Sequence, residues 1–154
     1  MKGTYSQLHV QIIFAVQDRR SLIQPDWEEK LFKYIHGIIE NASQKLLCIN
    51  GTTDHIHIVI GFRPNCVLSD LVREIKKATN NFINQSNFTK SKFNWQEGFS
   101  AFSCSKRELP EVIKYVQNQK VHHCNVSFKD EYLGLLKKHE IDYDERFVFD
   151  WIDP

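Results

Sequence analysis

Apolar and polar residues alternate over 5–16 (YSQLHVQIIFAV), so Leu8, Val10, Ile12 and Phe14 share one face of a predicted strand. The polar run QDRRS ends it. From 26 to 42 the spacing becomes helical: Pro25-Asp26 opens the segment, and Leu31, Tyr34, Ile35, Ile38 and Ile39 form its apolar stripe. Residues 45–50 (KLLCIN) predict a strand, Gly51-Thr52-Thr53-Asp54 a turn, and 55–62 (HIHIVIGF) a strand running back antiparallel to the first. A second helix is predicted over 68–84, with Leu68, Leu71, Val72, Ile75 and Phe82 on its buried side. The aromatic stretch 93–104 (FNWQEGFSAFSC) is β-prone and reads as a short hairpin. A third helix is expected over 108–121, with Pro110 in its first turn, and a last short one over 128–138.

The order β-α-β-β-α-β, followed by more helix, predicts an α+β fold of ferredoxin-like (RRM-like) type. In this arrangement an antiparallel sheet carries helices on one face and leaves the other free to work, with a tyrosine-bearing helix added towards the C-terminus. Segments 5–16 and 93–104 are the candidate sheet edges for pairing with a second chain. A length of 154 residues suits one compact domain with an appendage, divided here into a domain over 1–125 and a helical, acidic extension over 126–154. The fold serves many unrelated activities and decides none of them.

Composition changes the picture little: 42% hydrophobic and 25% charged residues are ordinary for a globular protein. Cys48, Cys66, Cys104 and Cys124 form no CxxC pair, so free thiols in a reducing cytoplasm are expected. Neither a leader peptide nor a run of ~20 apolar residues is read from the chain, and no membrane role is expected. The net charge is +1, but it is unevenly spread. Residues 63–124 hold ten Lys/Arg against five Asp/Glu, and 127–154 hold four against eight. A basic middle is compatible with a nucleic-acid face, and equally with an ordinary solvated surface.

Two patterns carry chemistry. In Asp54-His55-Ile56-His57 the histidines are two apart on a strand and so project together, while Ile56 faces the core. Paired imidazoles are half of a divalent-metal site; taken alone, they also fit a polar sheet face without an ion. On the third helix Tyr115 and Gln119 are four apart and lie on one face, one turn from each other, with Glu111 a turn earlier. A phenol and an amide oxygen can thus reach one spot, although the helix alone fits a tyrosine capping the core.

Taken together, the patterns resemble the HUH single-tyrosine (Y1-type) transposases of the smallest insertion sequences, including those associated with repeated hairpins. The resemblance runs from about Tyr5 to His123. It includes LHVQIIFAVQDRR, GTTDHIHIVIGF with Ile56 as the hydrophobic residue of the motif, and Pro64…Leu68-Ser69…Val72…Ile75-Lys76. It continues through Trp95-Gln96-Glu97-Gly98-Phe99 and VIKYVQNQ, and FKDEYLGLLKKHEIDYDERFVF resembles the C-terminal extension of one branch. The chain departs from the family in the stretch from Gly98: the family often shows Gly-Tyr-Phe followed by small and β-branched residues, and here it is Gly98-Phe99-Ser100-Ala101-Phe102.

The resemblance implies a metal-dependent single-strand DNA transposase. Tyr115 would be the nucleophile, forming a 5′-phosphotyrosine, and His55, His57 and Gln119 would hold Mg²⁺ or Mn²⁺. It implies hairpin or single-stranded DNA at element ends as partner, and a homodimer whose sites are formed within one chain or shared between two. Arg73, Lys76, Lys77, Lys106, Arg107, Lys114 and Lys120 are the candidate phosphate contacts. Phe93, Trp95, Phe99 and Phe102 are candidates for stacking on bases, with at least half of them expected in the core. The competing readings are a domesticated nuclease acting on host repeat hairpins and a non-catalytic single-strand nucleic-acid-binding module. A two-tyrosine nickase is disfavoured, because Tyr132 lies 17 residues beyond Tyr115.

Overall fold

The computed structural model describes residues 3–148; positions 149–154 of the expected extension lie outside them. Four strands, β1 (Leu8–Ala15), β2 (Lys45–Gly51), β3 (His55–Phe62) and β4 (Ser100–Cys104), form one sheet in the order β2-β3-β1-β4. Every pairing is antiparallel. The helices are α1 (Pro25–Asn41), α2 (Leu68–Gln85), α3 (Leu109–Gln117), α4 (Gln119–His122), α5 (Phe128–Lys138) and α6 (Glu145–Val148). This is the expected ferredoxin-like topology. No helix among the described residues is long and apolar enough to cross a membrane.

One face of the sheet is dry. Ile12 and Phe14 of β1 and Ile56, Ile58 and Ile60 of β3 meet Trp27, Leu31, Ile35 and Ile39 of α1 and Leu71, Val72, Ile75 and Ile83 of α2. Burying each such side chain contributes roughly 1.5–3 kcal/mol. Trp95 closes the end of this core edge-on to Phe14, with ring centroids 4.8 Å apart.

The opposite face is not left open. It carries α3 through Leu109 and Val116, packed on Cys48 and Val59, and α5 through Phe128, Tyr132 and Leu136, packed on Ile13, Ala15 and Phe102. The cause is in the sequence: both helices have an apolar stripe that only a sheet face can bury. Helix α5 of the extension therefore packs onto the sheet formed by β1–β4.

Three local expectations change. Segment 5–16 is no edge, since β1 lies between β3 and β4; the edges are β2 and β4. In 93–104 only Ser100–Cys104 pairs as a strand, while Trp95 makes an isolated bridge to Val16. The third helix breaks at Asn118 (φ −94°, ψ 12°), so Tyr115 lies in the last turn of one helix and Gln119 begins the next.

Candidate metal and nucleophile site

The site lies on the helix-covered second face. Gly51, Thr52 and Asp54 place His55. A Cβ on Gly51 would sit 2.2 Å from the carbonyl oxygen of His55, so only glycine lets β2 and β3 close this tightly. His55 Nδ1 donates to Asp54 Oδ1 at 2.8 Å. Thr52 Oγ1 lies 2.9 Å from the same nitrogen and donates to Asp54 Oδ1 at 3.0 Å. Phe128 stacks flat on the His55 ring, with centroids 3.7 Å apart. His57 Nδ1 donates to Gln11 Oε1 of β1 at 2.9 Å. Both rings are fully buried, and their Nδ1 hydrogen bonds fix which way they face.

The two Nε2 atoms then converge. His55 Nε2 is 3.2 Å from Gln119 Oε1, and His57 Nε2 is 3.3 Å from Glu131 Oε1. Gln119 is fully buried, and its amide nitrogen donates to Glu131 Oε2 at 2.9 Å, which turns its oxygen towards His55. The Tyr115 hydroxyl donates to Glu131 Oε2, and the Tyr115 and His57 ring centroids are 6.0 Å apart. All four sequence-assigned groups thus meet around one point, within one chain.

The donor set can be tested for a cation by counting protons. A neutral imidazole has one N–H, and the buried His57 ring already donates it from Nδ1. Its Nε2 lone pair nevertheless faces a carboxylate oxygen of Glu131. A cation among these atoms resolves that mismatch, and the ligand atoms of His55, His57 and Glu131 lie within 4.8 Å of one another. The residues therefore fit a divalent ion.

Charge follows burial. Burial lowers the His57 pKa to about 4, so the ring is neutral at pH 7. Burial pushes the Tyr115 phenol well above its usual range, and the Glu131 carboxylate beside it adds to the rise. Burial also acts to raise Glu131, but hydrogen bonds from His123 and Tyr115 help outweigh it and hold that carboxyl well below its usual range.

Sequence reasoning missed Glu131, Gln11 and His123. Glu131 was detectable as a carboxylate inside the apolar stripe of α5, between Phe128 and Tyr132. Gln11 lies on the same face of β1 as Ile13, which pairs with His57 in register. His123 donates from Nε2 to Glu131 Oε1 at 2.9 Å and follows the third helix with no pattern to mark it.

The basic candidates do not gather in one place. Arg73 pairs with Asp70 at 3.0 Å; with Lys76 it lines a cleft of about 600 Å³ that also includes Asn80, Trp95 and Phe99. Lys76 donates to the carbonyls of Gln96, at 2.8 Å, and Gly98, and burial lowers its pKa to about 8. Lys77, Lys106, Arg107 and Lys114 are exposed. Lys120 instead clamps α4 to its own chain, reaching Glu28 at 2.6 Å and Asn50 at 2.7 Å. Of the aromatic candidates, Phe93, Trp95 and Phe102 are buried and Phe99 is exposed.

A family model described as Transposase IS200 like matches residues 4–119, a span that includes both histidines, the tyrosine and Gln119. Among solved structures, the fold is similar to a candidate transposase from Deinococcus radiodurans, at 18% identity and a TM-score of 0.63 over 77% of this chain and 95% of that one. It is also similar to a REP-associated tyrosine transposase bound to a REP hairpin, at 16% identity and a TM-score of 0.62 over 100% of this chain and 93% of that one. No curated protein matches the sequence significantly.

Proposed function

The chain belongs to the IS200-like transposase family, and from this premise we propose that it cuts and rejoins single-stranded DNA beside hairpins through a covalent bond to Tyr115. The observation that carries this reading is the meeting of the Tyr115 hydroxyl, two imidazole Nε2 atoms and the Gln119 amide oxygen around one buried point. His55, His57 and Gln119 would hold Mg²⁺ or Mn²⁺. When bound there, such an ion neutralises the scissile phosphate and polarises its oxygens.

The residues do the rest. Tyr115 Oη attacks phosphorus; the Oη–P bond forms, the P–O3′ bond breaks, and the leaving oxygen takes a proton to become a 3′-hydroxyl. The Glu131 carboxylate accepts the phenol's hydrogen bond and so orients Oη; the phenol proton leaves to water as the Oη–P bond forms, and water supplies the proton that the leaving 3′-oxygen takes. The phosphotyrosine keeps the energy of the phosphodiester, so attack by a new 3′-hydroxyl reverses the step on another end without a nucleotide cofactor. The REP-hairpin partner of a structural neighbour supports hairpin-bearing DNA as the substrate class. A homodimer pairing through the β4 edge is proposed on the ground that two ends must be held at once.

Tyr115→Phe keeps the ring and removes the hydroxyl. It should abolish both cleavage and the denaturant-resistant adduct with a labelled hairpin-flanking oligonucleotide, while hairpin binding persists. An adduct surviving in this variant would overturn the assignment.

A further inference from the structure

Resting on the metal reading above, we propose that Glu131, carried by the extension helix α5, is itself a ligand of the divalent cation held by His55, His57 and Gln119. The segment beyond residue 125 then completes the metal site. Glu131 Oε1 lies 3.3 Å from His57 Nε2 and 3.7 Å from His55 Nε2. The side chain is 2% exposed. Its ion pairs among the described residues are all with histidines: His55, His57, His122 and His123. A buried carboxylate is costly unless a cation or several donors compensate it.

Packing aims this carboxylate inward. Ser127 caps α5 by accepting from the Asp130 amide at 3.1 Å. Phe128 stacks on His55, and Tyr132 and Leu136 sink into the cluster with Ile13 and Phe102. Between them Glu131 reaches the two Nε2 atoms with its Oε1. Its oxygens divide the work. Oε2 takes the hydroxyl of Tyr115 and the amide of Gln119 and has His122 beside it, and Oε1 faces His55, His57 and His123. His123, donating to Oε1 at 2.9 Å, is the kind of outer partner that orients a ligating carboxylate. Two neutral imidazoles and an amide bring no charge to a divalent ion. The carboxylate adds one negative charge and an oxygen donor, which suits Mn²⁺ and Mg²⁺. The nucleophile is then tied to the metal through one side chain.

The test uses the full chain stripped with EDTA and titrated with Mn²⁺, followed calorimetrically and by the EPR signal of free Mn²⁺. Wild type should bind one ion; Glu131→Gln should weaken binding by about tenfold or more, and His57→Ala by at least as much. Unchanged or tighter binding in Glu131→Gln beside a weakened His57→Ala would overturn this proposal and leave the metal reading standing. No binding by wild type would overturn both. A second measurement needs no variant. In wild type labelled with ¹³C at its glutamate carboxyls, pulsed EPR of bound Mn²⁺ should show a strongly coupled ¹³C nucleus, and its absence would overturn the proposal.

Discussion

The two faces of the sheet are made by the same strands and obey different rules. β3 sends Ile56, Ile58 and Ile60 to the dry face and His55, His57 and Val59 to the other. On the dry face each side chain stabilises in proportion to the area it hides, and its neighbours are interchangeable aliphatics. On the second face each buried polar atom needs a particular partner. Those partners come from four places in the chain: Gln11 in β1, Asp54 in the turn, Gln119 after the helix break, and Glu131 in α5. A face that stabilises can be built from local pattern. A face that does chemistry has to be assembled from segments far apart in sequence.

Loss of the metal ligands disables the second face most severely. EDTA should stop cleavage, with Mg²⁺ or Mn²⁺ restoring it. His57→Ala should lower single-turnover cleavage by on the order of 10²-fold or more, against roughly 10–100-fold for Gln11→Ala, which only orients the ring. Both variants should keep the fold, because the dry face is untouched. Equal losses in the two would show that Gln11 does more than orient, and full activity in EDTA would remove the metal from the mechanism.

The converse change lies one residue away. Ile58 is fully buried on the dry face, and Ile58→Ala should cost about 2–5 kcal/mol of stability through lost burial and the cavity left behind. Urea denaturation measures that loss. Mn²⁺ affinity of the folded protein should stay at the wild-type value, since Ile58 touches no ligand. A large loss of affinity at wild-type stability would show that the two faces are not separable.

This difference also explains what was legible in the sequence. Residues 55–62 gave the strand and its two faces because a period of two is a local signal, and α1, α2 and α5 appeared within a few residues of their observed bounds. His55 and His57 could be picked out because one strand enforces their spacing, and Tyr115 and Gln119 because the break at Asn118 still leaves these two side chains around one point. Three things were hidden. The break at Asn118 leaves the apolar pattern of the third helix intact. The cover over the second face depends on a chain reversal at 123–127 that no periodicity announces. Glu131 reaches the site across 74 residues from His57, a separation that only the fold can close.

Acid sharpens the contrast with a smaller effect. In the metal-free protein His57 is held near pKa 4 against an ordinary 6.5. Between these values the unfolded chain binds a proton that the folded chain refuses, so stability falls as pH falls. At 1.36 kcal/mol per unit the loss reaches up to about 3 kcal/mol. Glu131, with its pKa lowered, has the same sign and adds its loss below its ordinary value. His123, with its pKa raised, opposes both, because its contribution is present at low pH and fades as pH rises. The midpoint of urea unfolding in EDTA should therefore drop from pH 7 to pH 5, and His57→Gln should flatten that slope. A midpoint independent of pH would mean that the buried ring does not control acid stability.

The smallest expected effect is none at all, and it tests whether the second face belongs to one chain. The tyrosine helix is pinned to its own sheet. Leu109 and Val116 pack on Cys48 and Val59. Asn50 Nδ2 donates to the carbonyls of Val116 and Gln117 at 3.1 and 3.0 Å. Lys120 then ties the next turn to Glu28 and Asn50. To serve a partner's histidines, Tyr115 would have to leave all of these contacts together with Glu131. A mixture of Tyr115→Phe and His57→Ala chains should therefore recover no cleavage, even where light scattering shows the proposed dimer. Each mixed dimer would hold one site without a nucleophile and one without a full set of ligands. Recovery of about half the wild-type rate per intact site would mean that the helix crosses between chains, and that the intrachain contacts at Asn50 and Lys120 open before DNA is cut.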